Sequence, residues 1–137
     1  MTTQTYRHAR HNVSLLHAHL VFVTKYRRPV FTDAMLTYCE DTMHAVCAEL
    51  GAELVEFNGE TDHVHLLVVS PPAVAISVLV QRLKGRTAYA VRREFTGACV
   101  RARMRGHLWS PSYFAVSCGG APLAIIKQYI NGQARPL

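Results

Sequence analysis

The chain has 137 residues, half of them apolar and 18% charged, which supplies one folded core and argues against global disorder. Lysine and arginine number 15 against 9 acidic residues, a net charge of +6 with histidine neutral, so a polyanion is a natural partner. No apolar run approaches the roughly 18 residues of a membrane helix, and no signal-peptide core follows the polar, basic leader of residues 1–12. A cytoplasmic chain is expected. The four cysteines (Cys39, Cys47, Cys99 and Cys118) form no C-x-x-C pair, so a zinc ribbon is not expected. Cys39 and Cys47 fall on one predicted helix, about 12 Å apart along its axis, too far for a mutual disulfide.

One domain, residues 1–137, is expected, with no linker or internal repeat. Residues 15–25 are rich in Leu, Val, Phe and His and predict a strand, ended by Tyr26-Arg27-Arg28-Pro29 because proline withdraws a donor. Thr32 or Asp33 is placed to cap a helix. Leu36, Cys39, Met43, Val46, Cys47 and Leu50 then recur at steps of three and four, one apolar helical face, with Gly51 at its C-terminal end. Residues 52–57 and 63–69 predict an antiparallel hairpin across Asn58-Gly59-Glu60-Thr61-Asp62. A second helix is expected from Val74 to about Phe95, where Ile76, Leu79, Val80, Leu83, Thr87, Ala90 and Val91 form the stripe. Gly85 interrupts it, either for a close backbone approach or as a simple weakening. Residues 98–106 read as a basic loop or ragged helix end carrying Arg101, Arg103 and Arg105. Leu108–Ser117 predicts a fourth strand bent near Ser110-Pro111. Gly119-Gly120 reads as a joint, and Pro122 suits the first turn of a last helix running to about Gly132. The order βαββαβ plus a helix fits an α+β, ferredoxin-like antiparallel sheet with the first and third strands at its centre.

His63-Val64-His65 lies on a predicted strand, where residues i and i+2 share a face. Two imidazoles side by side can reach one divalent metal and leave positions open for substrate. The spacing alone does not separate such a pair from two polar surface histidines, and His17-Ala18-His19 is a second match on the first strand. Tyr129 and Gln133 share a face of the last helix; a phenol is a potential nucleophile and an amide carbonyl a potential ligand to a hard cation. Basic clusters stand at Lys25, Arg27 and Arg28, at Lys84, Arg86, Arg92 and Arg93, and at Arg101, Arg103 and Arg105. They suit phosphate contacts or a solvated surface, and the nearby rings of Tyr26, Phe31, Trp109, Tyr113 and Phe114 either stack on unpaired bases or, for most of them, pack in the core. There is no P-loop, dinucleotide fingerprint or nucleophile elbow. A recombinase without a nucleotide site has to conserve bond energy covalently, as a phosphotyrosine does.

From about His11 to Gln133 the chain resembles the small single-tyrosine HUH transposases of bacterial and archaeal insertion sequences (the IS200/IS605-like family). The segments that carry the resemblance begin at His19 (HLVFVTKYRR), Asp62 (DHVHLLV), Leu83 (LKGR), Leu108 (LWSP), Gly119 (GGAPL) and Lys127 (KQYINGQ). It implies His63 and His65 as the metal pair, Gln133 as the completing ligand and Tyr129 as the nucleophile. His19 and Asp62 would support the site, and Gly119-Gly120 would be the hinge of the tyrosine helix. Lys25, Arg27, Arg28, Lys84 and Arg86 are the candidate DNA contacts. The implied activity is cleavage and rejoining of single-stranded DNA at insertion-sequence ends through a 5′-phosphotyrosine. It needs Mg²⁺ or Mn²⁺ but no ATP or other nucleotide cofactor. Hairpin-bearing DNA and a homodimer are the implied partners. The alternative is a ferredoxin-like module that binds hairpin DNA or RNA without cutting it. A stand-alone zinc protein is disfavoured because no cysteine–histidine set exists.

Overall fold

A computed structural model describes residues 15–104, 106–117, 128, 130 and 131. Strand β1 (Leu16–Val23) leads through a short 3-10 turn (Lys25–Arg27) to helix α1 (Asp33–Glu49). The hairpin β2 (Glu53–Gly59) and β3 (His63–Ser70) follows, then α2 (Ile76–Glu94), the short α3 (Thr96–Arg101) and β4 (Phe114–Ser117). The sheet order is β2-β3-β1-β4, and every neighbouring pair is antiparallel. That is the expected α+β, ferredoxin-like arrangement, with β1 and β3 side by side in the centre.

Local chemistry explains the boundaries. The Thr32 side chain accepts the Met35 N–H and starts α1. Gly51, with φ of +72°, supplies the left-handed residue that stops it. The α1 stripe of Leu36, Cys39, Met43, Val46 and Cys47 is buried, together with Leu79, Val80, Leu83 and Val91 of α2. Both helices pack on the sheet face formed by Ala18, Leu20 and Phe22 of β1 and Val64, Leu66 and Val68 of β3. Cys39, Cys47 and Cys99 are free thiols in this layer, and burial pushes the Cys47 thiol up to about 12. Gly59 closes the hairpin where a Cβ would lie 2.6 Å from the His63 carbonyl oxygen and 3.1 Å from Leu36.

Several elements differ from expectation. Residues 98–106 begin as helix, because Cys99 and Met104 bury into the core and draw the segment inward. The fourth strand is confined to Phe114–Ser117; upstream, Trp109 makes only an isolated bridge to Thr24 and turns into the core, donating its indole N–H to Thr87 Oγ1 at 2.9 Å. Gly85 lies in open space, where an added Cβ would meet nothing within 4 Å, so it answers to no close approach. The expected last helix falls largely outside the described residues; Gln128, Ile130 and Asn131 are described and helical. The leader, Arg105, Cys118 and the Gly119-Gly120 joint also lie outside them. Among the described residues no helix is long and apolar enough to cross a membrane.

Candidate active site

The strand period of two sends His63, His65 and Leu67 of β3 to the face opposite the helices. The His63 and His65 rings stand 4.9 Å apart, edge to face. On β1 the same alternation brings His19 to this face, where its Nε2 lies 3.1 Å from His65 Nδ1 and its ring stacks on that of His65 at 5.3 Å. Phe114 of β4 sets its ring against His19 at 6.1 Å. His17 shares the face, opposite Val69.

Each ligand candidate is oriented by a neighbour. His63 Nδ1 is 2.8 Å from Asp62 Oδ1. A carboxylate only accepts, so Nδ1 carries the proton and Nε2 presents its lone pair. Asp62 is held in turn by Arg27, whose Nε donates to Oδ2 at 3.2 Å. Burial pushes the Asp62 carboxyl up, but hydrogen bonds and charge from His63 and Arg27 outweigh it and hold it below the usual range. Burial, and then the like charges of His63 and His19, push His65 down to about 4. Burial lowers His19 as well. His65 is therefore a neutral imidazole at neutral pH, the form that binds metals.

The C-terminal segment reaches the same face at Ile130. Its side chain packs on Leu67, and its carbonyl accepts the Asn58 side-chain amide at 3.0 Å. Asn58 is the cross-strand partner of His65, in a register set by a bulge between Leu54 and Glu56. Asn58 and Phe114 carry no sequence signal for this role. Asn58 reads as a turn residue, and only the bulge aims it at the histidine face.

Among the basic residues, Lys25, Arg27 and Arg28 gather in the turn after β1, beside Asp62. Lys84 points elsewhere: half-buried, it donates to the carbonyls of Ser110 and Ser112 at 2.5 and 3.2 Å. Arg86 pairs with Glu49 at 2.8 Å, on the helical layer. Tyr129, Gln133, Gly119 and Gly120 lie outside the described residues. Among the described residues no group of three His, Cys, Asp or Glu side chains converges to hold a metal.

Residues 12–133 match the family model for IS200-like transposases. The chain belongs to that family. It is 32% identical over 120 residues to the ISDra2 transposase TnpA of Deinococcus radiodurans, a match covering 86% of this chain and 84% of the relative. It is 28% identical over 115 residues to the IS200 transposase of Salmonella typhimurium, covering 84% of this chain and 74% of the relative. The crystal structure of a Deinococcus radiodurans protein assigned as a transposase superposes with a TM-score of 0.72 at 32% identity, covering 92% of this chain and 96% of that one. A REP-associated tyrosine transposase, solved bound to a REP hairpin, shares the fold with a TM-score of 0.59 at 14% identity, covering 84% of this chain and 64% of that one. The IS200-like transposases are DNA-processing enzymes, and this chain has their fold and most of their length.

Proposed function

We propose that this transposase cleaves and rejoins single-stranded DNA at insertion-sequence ends through a 5′-phosphotyrosine on Tyr129. The observation that carries the reading is the histidine face. His63 and His65 stand together there, their ring nitrogens oriented by Asp62 and His19. Ile130, the residue after Tyr129, is fastened to the same face through Asn58.

Two imidazoles with fixed orientation fit a divalent ion, and nitrogen donors suit Mn²⁺ better than Mg²⁺. His63, His65 and Gln133 would hold it, and it would polarise the scissile phosphate. The Tyr129 phenol attacks phosphorus, forming the O–P bond as the bond to the 3′ oxygen breaks; its proton passes to solvent and the departing 3′ oxygen takes one up to become a 3′-OH. A 3′-OH from another strand later attacks the phosphotyrosine and releases the phenol. The number of phosphoester bonds is conserved, so no ATP is consumed. Lys25, Arg27 and Arg28, in the turn beside Asp62, would meet DNA phosphates, whereas Lys84 and Arg86 hold protein partners on other elements. Hairpin recognition and a homodimer complete the proposal; the fold neighbour bound to a REP hairpin supports the first.

Oligonucleotides copied from the DNA flanking the gene test this reading. Incubated with protein and Mg²⁺ or Mn²⁺, one strand should give a covalent adduct on a denaturing gel. EDTA should abolish it, and Tyr129→Phe should abolish it while retaining hairpin binding. Tight hairpin binding with no adduct from any strand would favour the non-cutting module instead.

A further inference from the structure

Tyr26 lies in the 3-10 turn after β1 with φ of +62°, and Arg27 follows at +53°. Residues other than glycine rarely adopt this left-handed region, and asparagine or glycine would do so at lower cost. Core packing does not compensate, because Tyr26 is 68% exposed. The turn is nevertheless firmly built. Thr24 Oγ1 donates to the Arg28 carbonyl at 2.8 Å, the Arg27 N–H to the Thr24 carbonyl at 2.9 Å, and the Lys25 N–H to the Leu108 carbonyl at 3.0 Å. An aromatic ring is thus held outward in a strained conformation, an arrangement that recurs at ligand-binding positions.

The surroundings identify the ligand. Lys25 Nζ and the Arg28 guanidinium stand 5.5 and 5.2 Å from the ring centre. The His107 ring meets it edge to face at 6.1 Å. Exposed aromatic surface beside cations is the pattern that stacks a base while neutralising its phosphate. The turn also adjoins the histidine face, because Arg27 contacts Asp62, which contacts His63.

Resting on the strand-transfer reading, we infer that Tyr26 is a stacking platform for an unpaired base of single-stranded DNA, next to the nucleotide whose phosphate is cut. Lys25 and Arg28 hold the flanking phosphates. Stacking on one ring needs no particular base, so the contact adds affinity and positions the strand without reading sequence.

The test compares fluorescein-labelled dT15 with an abasic 15-mer of the same charge, by anisotropy in EDTA so that no cleavage intervenes. Wild type should prefer dT15. Tyr26→Ala should lose on the order of 5- to 100-fold in dT15 affinity and bind the two probes alike. Tyr26→Phe and Tyr26→Trp should restore the preference, which a merely structural role would not require. Matching thermal melts guard against an unfolded variant. Unchanged dT15 binding by Tyr26→Ala overturns the proposal and leaves strand transfer standing. Failure of wild type to bind dT15 also overturns the platform, whereas strand transfer is decided separately by adduct formation on the flanking-DNA strands.

Discussion

On β3, Val64, Leu66 and Val68 face the helices, while His63, His65 and Leu67 alternate with them on the opposite face. The two faces share a backbone and differ in what they do. The helical face excludes water and supplies stability through apolar burial. The other face gathers His19, His63, His65 and Asp62 into a linked polar cluster, which sets imidazole orientation. A strand is well suited to this division, because neighbouring residues can be selected separately for core and chemistry.

Paired substitutions on the two faces of β3 separate stability from chemistry. Leu66→Ala should destabilise the fold by about 2–5 kcal/mol, because it opens a cavity in a fully buried layer. His63→Ala should change stability by only about 1 kcal/mol, since it removes a single partly buried hydrogen bond to Asp62. Yet it should reduce strand cleavage on the order of 100-fold or more, beyond the loss typical of a residue that only supports a ligand. Chemical denaturation and a cleavage time course on both variants check the contrast. If the two lose stability equally, the faces are not separate in function.

Gly59→Ala sharpens the comparison at the hairpin, where both faces meet. A methyl group there would press on the His63 carbonyl and on Leu36, so about 1–3 kcal/mol of stability should be lost. Its urea midpoint should fall, with cleavage reduced as β3 shifts. Gly85→Ala lies far from either effect. Its position is open and helical, so stability should rise by up to about 1 kcal/mol with cleavage unchanged. A fall in melting temperature would show that Gly85 has a role its surroundings do not reveal.

The period-two and three-to-four patterns made much of this architecture readable in the sequence. His63-x-His65 predicts a shared face, and the stripe from Leu36 to Cys47 predicts the buried side of α1. Tertiary context decided the rest. Lys84 reads as a surface cation, but its ammonium lies over the Phe22 ring, 5.9 Å from its centre, and meets two carbonyls. Residues 98–106 read as a basic loop, because two buried side chains among several arginines leave no clear period. The His19–His65 contact depends on strand register over 46 residues of separation, which no local pattern encodes. Asn58 depends on a bulge.

Mass spectrometry of the covalent adduct after nuclease and protease digestion decides which atom carries the DNA. One modified peptide is expected, with a nucleotide 5′-phosphate on the Tyr129 oxygen and none on His63 or His65. A phosphate on Tyr26, Tyr113 or any other tyrosine, or cleavage that proceeds with no adduct at all, would contradict it.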